Sequence, residues 1–226
     1  MAMTVAHQSN INTPILMRYQ MSGLYAVTPD EPNMSALIAN IDAALRGGAQ
    51  MVQYRNKAAN SDLRLQQATA LLALCRTYQV PLIINDHLDL CAQIDADGLH
   101  LGGTDCDIGA ARRLLGDDKI IGASCYNQLN LAEKAQAQGA SYAAFGACFS
   151  SGTKPNAVNA PLSLFAEAKK SVHIPLVAIG GITLENAVQV IEAGADAIAV
   201  VNALFEAVDV KQQAEHFSRL CNTDPI

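Results

Sequence analysis

The sequence predicts an α/β protein, a single-domain (β/α)8 barrel of the TIM type, on three observations. Short apolar runs alternate with longer stretches of helical period, and the pair recurs eight times. The runs are almost wholly apolar, as strands are when helices cover both faces of a parallel sheet. A Gly-Ala-polar phrase recurs at Gly48-Ala49-Gln50, Gly139-Ala140-Ser141 and Gly194-Ala195-Asp196. There glycine supplies the left-handed cap that ends a helix before the next strand. An open doubly wound sheet is the competing architecture. A Gly-x-Gly-x-x-Gly turn after the first strand would support it, and Thr28-Pro29-Asp30-Glu31-Pro32 stands there instead.

The first 22 residues carry Gln8, Ser9, Asn10 and Asn12 where a signal peptide needs an apolar segment. Residues 1–22 are therefore expected to be an N-terminal extension or a short cap, with the barrel domain over 23–220. Strand one is expected at 24–27 and its helix at 34–45. Strand two follows at 51–54 and a helix at 63–78. Strand three, at 82–84, leaves only 87–94 for a helix of about two turns. Strand four at 98–101 leads to a helix at 108–115. Strand five at 120–123 leads to one at 130–138, and strand six at 142–145 to one at 162–170. Strand seven at 175–179 precedes a helix at 184–193, with Thr183 as its expected cap. Strand eight at 195–201 precedes a helix at 202–217.

Composition narrows the function. Of 226 residues, half are apolar and 16% are charged, which excludes a disordered chain. Tryptophan is absent and aromatics are scarce, so the core must be aliphatic. Fifteen Lys+Arg against 21 Asp+Glu leave a net charge of −6 and argue against a nucleic-acid surface, which needs a basic stripe. No apolar run approaches the ~18 residues of a membrane span. The six cysteines, at 75, 91, 106, 125, 148 and 221, form no CxxC pair and no metal-site spacing with histidine. They read as reduced thiols of a cytoplasmic protein.

In such a barrel the chemistry sits at the C-terminal ends of the strands. After strand two stand Arg55 and Lys57, which share a parity and can point the same way if the strand reaches them. They are either an anion clamp or two solvated cations. After strand three stands Asn85-Asp86-His87, and after strand four His100-Leu101-Gly102-Gly103-Thr104-Asp105. Asp86 and Asp105 lie at one end of adjacent strands. Without Cys or His ligands they suit a hard cation such as Mg²⁺, which takes one or two carboxylates and completes its shell with water and phosphate oxygens. Read singly, each would serve equally as a helix N-cap. Ser124 follows strand five. The loop after strand six, Ser150-Ser151-Gly152-Thr153-Lys154-Pro155-Asn156, offers hydroxyls, backbone N–H groups and a cation to a phosphate, or is an ordinary turn. Gly180-Gly181 after strand seven and Val201-Asn202 after strand eight occupy the places where many barrels bind phosphate.

The carboxylates would repel a bare phosphate, and a divalent ion between them resolves the conflict. The set thus implies a metal-bound diphosphate and a second, separately held phosphate. Two phosphorylated small-molecule substrates, one with a diphosphate leaving group, imply transfer of the group attached to that diphosphate.

Over roughly residues 23–205 the sequence resembles the thiamine-phosphate synthase family. The segments that carry the resemblance are Gly23-Leu24-Tyr25-Ala26-Val27-Thr28, Val52-Gln53-Tyr54-Arg55-Asn56-Lys57, Ile84-Asn85-Asp86, Asp97-Gly98-Leu99-His100-Leu101-Gly102, Ile121-Gly122-Ala123-Ser124, Thr153-Lys154-Pro155-Asn156-Ala157 and Val177-Ala178-Ile179-Gly180-Gly181-Ile182-Thr183. Each is weak alone; their order and spacing are specific. The resemblance implies a transferase of thiamine biosynthesis. It would join a hydroxymethylpyrimidine diphosphate to a hydroxyethylthiazole phosphate, giving thiamine phosphate and pyrophosphate. It implies that Asp86 and Asp105 hold Mg²⁺ and that Arg55, Lys57, Asn85 and Lys154 bind the diphosphate. Gln53, His100 and Ser124 would face the pyrimidine. Ser151, Thr153, Gly181, Val201 and Asn202 would hold the thiazole phosphate, and Tyr54, Asn56 and Gly152 count with the substrate-binding runs that contain them.

Some positions depart from the commonest family pattern: Gly103 and Thr104, Ala147 and Cys148, Ser150 and Ser151, and Asn202, where serine is usual. The ionic residues all match, so the departures bear on phosphate affinity more than on the reaction. Three alternatives remain: a thiazole phosphate tautomerase-like barrel, a sugar-phosphate aldolase or isomerase using Lys154 as a Schiff base, and a non-catalytic phosphate-metabolite-binding barrel. The sequence is compatible with a homo-oligomer and does not define one.

Overall fold

The computed structural model describes residues 21–102, 107–150 and 159–222. Its eight strands are β1 (Gly23–Val27), β2 (Met51–Tyr54), β3 (Leu82–Asn85), β4 (Gly98–Leu101), β5 (Ile120–Tyr126), β6 (Tyr142–Phe145), β7 (Leu176–Ile179) and β8 (Ala197–Val200). They form a closed barrel in sequence order, every neighbour parallel, with β1 closing on β8. The helices are α1 (Met34–Arg46), α2 (Ser61–Tyr78), α3 (Leu88–Gln93), α4 (Ile108–Leu115), α5 (Leu129–Ala137), α6 (Ser163–Ala168), α7 (Ala187–Glu192), α8 (Asn202–Phe205) and α9 (Val210–Cys221). The predicted barrel fold is therefore borne out.

Although the strands are apolar on both faces, alternate side chains go to different places. Tyr25, Val27, Met51, Ile83, Ile120, Tyr142, Ala144, Val177, Ala197 and Ala199 fill the lumen as one cluster. Their neighbours, such as Leu24, Val52, Tyr54, Leu99 and Ile198, pack outward beneath the helices. Met21 is buried with the lumen cluster, so the second-last residue of the expected extension belongs to the core. Gly122 gives the lumen room: a Cβ there would overlap the ring of Tyr142, its partner across the β5–β6 ladder. The glycines of the recurring phrase do take left-handed φ values, +94° at Gly48, +88° at Gly139 and +109° at Gly194.

Several boundaries differ from expectation, each for a local hydrogen-bonding reason. The helix expected over 202–217 is two, because Asp209 starts α9 by accepting from the Gln212 N–H at 3.0 Å. The helix expected from 184 begins at Ala187. Ahead of it Asn186 Oδ1 accepts from the Thr183 N–H at 2.8 Å, so Thr183 does not cap the helix. Asn60, not Leu63, marks the start of α2, its side chain accepting from Leu63 N. Asp107 caps α4, and α3 follows His87 without any side-chain cap bond, so Asp86 is not a helix cap. β5 runs on to Tyr126 through a bulge after Ser124.

Candidate active site

All eight strands end at one mouth of the barrel, and the polar side chains gather there. β2 stops at Tyr54, so Arg55 and Lys57 owe their placement to the loop that follows and not to strand parity. That loop is tied down from three sides. Thr28 Oγ1 donates to the Arg55 carbonyl and accepts from the Arg55 N–H, both at 2.8 Å. Asp30 Oδ1 accepts from the Lys57 N–H at 2.7 Å and lies 3.4 Å from Arg55 Nη1. Behind it, the buried Gln67 of α2 accepts from the Tyr54 hydroxyl at 2.8 Å and from Asn56 Nδ2 at 3.0 Å, and donates to the Glu31 carbonyl at 2.8 Å. Asn56 also donates to Glu31 O and accepts from Ala59 N, both at 3.0 Å. Burial pushes the Tyr54 phenol up to about 12, so it remains a donor to Gln67.

At the end of β3 the chain turns sharply. Asp86 has φ +63°, the His87 N–H donates back to Asn85 O at 2.8 Å, and the Asp86 N–H donates to His100 O of β4 at 2.9 Å. This is a γ-turn about a left-handed residue, a strained conformation that aspartate tolerates better than most side chains. It sets the Asp86 carboxylate 3.6 Å from Lys57 Nζ. The two lie in a cleft of about 240 Å³ whose walls also include Tyr54, Asn56, Arg64, Asn85 and His87. Arg64 Nη2 donates to Ala59 O at 2.6 Å, and its buried Nε has no partner among the described residues.

The lumen is closed toward the mouth by a chain of four hydrogen bonds. Gln53 Nε2 donates to the Tyr25 hydroxyl at 2.9 Å, which meets the Tyr142 hydroxyl at 2.8 Å. Tyr142 meets His100 Nδ1 at 2.9 Å, and His100 Nε2 meets Ser124 Oγ at 2.9 Å. The His100 and Tyr142 rings stack at 5.6 Å, and Tyr25 sets its ring edge-on to Tyr142 at 6.0 Å. Burial pushes both phenols well above their ordinary range, so both stay protonated.

On the far side, Gly181 has φ +65°, and a Cβ there would stand 2.6 Å from Phe149 O and 2.7 Å from Ser150 O. The glycine thus lets the loop after β7 touch the backbone of the loop after β6. Asn186 Nδ2 fixes it by donating to Gly181 O at 2.9 Å. Val201 follows β8 against the lumen cluster, and Asn202 Nδ2 donates to Glu206 Oε1 at 2.6 Å. Asp105, Ser151, Gly152, Thr153 and Lys154 lie outside the described residues, as do Gly103 and Thr104.

The structure therefore brings Lys57, Asn85 and Asp86 together in one cleft, and joins Gln53, His100 and Ser124 in one chain. Tyr54 and Asn56 turn toward Gln67, and Arg55 pairs with Asp30. Among the described residues no three of His, Cys, Asp and Glu converge as a metal-ligand cluster. Sequence reasoning missed Tyr25, Tyr142 and Gln67, which read as core or helix-face residues. For the two tyrosines a polar atom inside an otherwise apolar run was the available signal, since a buried hydroxyl needs a partner.

A closed parallel barrel with cations, a carboxylate and a polar lumen roof at its C-terminal mouth carries its polar groups where barrel enzymes place their chemistry. The family model described as "Thiamine monophosphate synthase" matches residues 24–204. The thiamine-phosphate synthase of Methylobacillus flagellatus is 55% identical over 202 residues, 89% of this chain and 96% of that protein. That of Nitrosomonas eutropha is 54% identical over 207 residues, 92% of this chain and 98% of that protein. The solved thiamine phosphate pyrophosphorylase of Pyrococcus furiosus superposes with a TM-score of 0.78 at 33% identity, covering 88% of this chain and 95% of that one. The chain belongs to the thiamine monophosphate synthase family, as the resemblance implied.

Proposed function

We propose that this protein condenses 4-amino-2-methyl-5-hydroxymethylpyrimidine diphosphate with 4-methyl-5-(2-hydroxyethyl)thiazole phosphate, giving thiamine phosphate and pyrophosphate. The observation that carries this reading is the cleft in which Lys57, Asn85 and Asp86 meet. Lys57 and Asn85 bind diphosphate oxygens together with Arg55 and Lys154. The Lys57–Asp86 pair is partly exposed, with side chains 57% and 27% accessible. Such a pair is worth only ~0–1 kcal/mol, so Lys57 exchanges it readily for a phosphate oxygen.

Gln53, His100 and Ser124 face the pyrimidine, with Tyr54 and Asn56 supporting the strand-two loop. Gly181, Val201 and Asn202, with Ser151, Gly152 and Thr153, hold the thiazole phosphate. The C–O bond to the diphosphate breaks, and the exocyclic amino group stabilises the pyrimidine cation. The thiazole nitrogen then attacks with its own lone pair, so the protein needs no general base. Its work is to offset charge on the departing diphosphate, an effect of which one positioned donor commonly supplies about 10²–10³ in rate.

A carboxylate and a side-chain amide without a thiolate are a donor set suited to a hard cation. On that chemistry Asp86 and Asp105 would hold Mg²⁺, whose positive charge would help neutralise the leaving group. Cys75, Cys91, Cys125, Cys148 and Cys221 are free thiols, which supports a cytoplasmic protein; among the described residues no helix is long and apolar enough to cross a membrane.

The test is a coupled pyrophosphate assay with each substrate alone and with both, with and without chelator. Release is expected only with both substrates and Mg²⁺. Chelator-insensitive release, or equal release from the pyrimidine diphosphate alone, overturns the reading. Binding without release points to a silent phosphate-metabolite barrel. Conversion of the thiazole phosphate alone points to a tautomerase, and borohydride trapping on Lys154 to an aldolase.

A further inference from the structure

The hydrogen-bond chain across the lumen has a direction. Each hydroxyl carries one proton and a neutral imidazole carries one. Gln53 Nε2 donates to Tyr25, which is 1% exposed. The Tyr25 proton therefore has one acceptor left, the Tyr142 oxygen 2.8 Å away. Tyr142, fully buried, must in turn donate to His100 Nδ1 at 2.9 Å. His100 then carries its proton on Nε2 and donates it to Ser124 Oγ. At the two ends this leaves a Gln53 carbonyl oxygen as acceptor and a Ser124 O–H as donor.

The reverse polarity requires every bond to turn and the Gln53 amide to flip. A mixture strands a buried phenol proton, at a cost of about 1–3 kcal/mol. Chemistry favours the first direction. A phenol is far more acidic than an aliphatic hydroxyl, hence the better donor and the poorer acceptor. Tyr142 donating to the imidazole, with Ser124 accepting from it, is thus stronger than the converse.

We propose that Tyr25 and Tyr142 are positioning residues that lock Gln53 as an acceptor and Ser124 as a donor, so that the site selects an aminopyrimidine over its 4-oxo analogue. The inference rests on the proposed function, in which Gln53 and Ser124 meet the pyrimidine. A 4-aminopyrimidine offers an N–H to the Gln53 acceptor and a bare ring nitrogen to the Ser124 donor. The oxo analogue offers Gln53 a carbonyl in place of that N–H, setting acceptor against acceptor. A site built to hydrogen-bond its ligand can reject such a mismatch by about 10⁴-fold.

The test measures the dissociation constants of the amino and oxo pyrimidine diphosphates, without the thiazole phosphate so that the amino group's stabilisation of the cation does not enter, in wild type, Tyr142→Phe and Tyr25→Phe, with thermal unfolding to confirm folding. The phenylalanine ring keeps the stack on His100 and removes only the hydroxyl. Wild type should bind the amino form at least about 100-fold more tightly, and Tyr142→Phe should narrow this to within about tenfold. Tyr25→Phe should narrow it less, because Tyr142 can still donate to His100. Independently of any turnover, ¹⁵N NMR of His100 in the full-length protein should show a bare Nδ1 and a protonated Nε2, and a changed tautomer balance in Tyr142→Phe. Wild-type His100 protonated on Nδ1, or full discrimination in Tyr142→Phe, overturns the proposal. Because the tautomer is read without substrates, a failed pyrophosphate assay removes the proposed function without being mistaken for failure of the lock.

Discussion

Lys57 Nζ and Asp86 Oδ2, carried past the ends of neighbouring strands, face each other at 3.6 Å across the cleft at the barrel mouth. The pair is too exposed to add much to stability, yet Asp86 holds a left-handed backbone conformation at φ +63°. Strained residues of this kind cluster at functional sites. Asp86→Asn keeps a side chain that tolerates the turn and removes only the charge. Pyrophosphate release should fall by about 10²-fold or more, while the melting temperature falls by no more than about 2–4 °C, as expected for losing a pair worth ~0–1 kcal/mol. Unchanged turnover in this variant would remove the carboxylate from the mechanism.

Gln67 is the support of the cationic loop. Its amide closes three hydrogen bonds, to Tyr54, Asn56 and Glu31, in a fully buried position. Gln67→Leu fills the space but strands the buried Tyr54 hydroxyl, at a cost of about 1–3 kcal/mol, and leaves Asn56 Nδ2 and the Glu31 carbonyl with only their bond to each other. Urea unfolding should show a loss of about 1–3 kcal/mol, and KM for the pyrimidine diphosphate should rise because Asn56 and the neighbouring Arg55 and Lys57 lose part of their anchor. A variant as stable as wild type would show that the loop finds its support elsewhere.

Gly181 tests the opposite wall. An alanine there must hold φ +65° and place its Cβ against the carbonyl oxygens of Phe149 and Ser150. The left-handed backbone alone costs about 1–2 kcal/mol, and relief of the collision must part the loops after β6 and β7. Small misplacements of this sort cost up to about 10²-fold. Steady-state kinetics should show KM for the thiazole phosphate raised about tenfold or more, with KM for the pyrimidine diphosphate changed by less than about twofold. Equal effects on both would argue that the loops do not form a separate phosphate subsite.

The barrel was legible because its signal is repeated: eight apolar runs of strand length, with glycine caps between, leave little freedom of assignment. Helix limits were less legible, since Asp209 and Asn186 act through single hydrogen bonds that periodicity does not register. At the mouth, Asn85, Asp86, His100 and Ser124 stood out as polar residues near the ends of apolar strands, whereas the role of Gln53 came only through the family resemblance. Tyr25 and Tyr142 did not, because their rings satisfy the core pattern and their hydroxyls meet across 117 positions of sequence. Gln67 was hidden by the opposite effect, a polar residue on a helix whose burial depends on what packs over it.

At the other end of the barrel, Asp97 lies buried between β3 and β4, with Oδ2 accepting from the Leu82 N–H at 2.9 Å. Burial raises its carboxyl above the usual range, outweighing the hydrogen bond from Leu82 and the attraction of Arg76 and Lys119. A carboxyl that binds its proton more tightly folded than unfolded favours the native state at low pH. That contribution is complete below the unfolded value and is lost as pH rises through the folded one. Asp97→Asn keeps an oxygen to accept from Leu82 and removes the charge. The variant should therefore gain stability relative to wild type as pH rises from about 4 toward 7, with the difference levelling off once Asp97 is fully ionised. Urea unfolding at a series of pH values measures this directly. A difference that shrinks over that interval would mean that Arg76 and Lys119 outweigh the desolvation, and that the buried carboxylate stabilises the native state when charged.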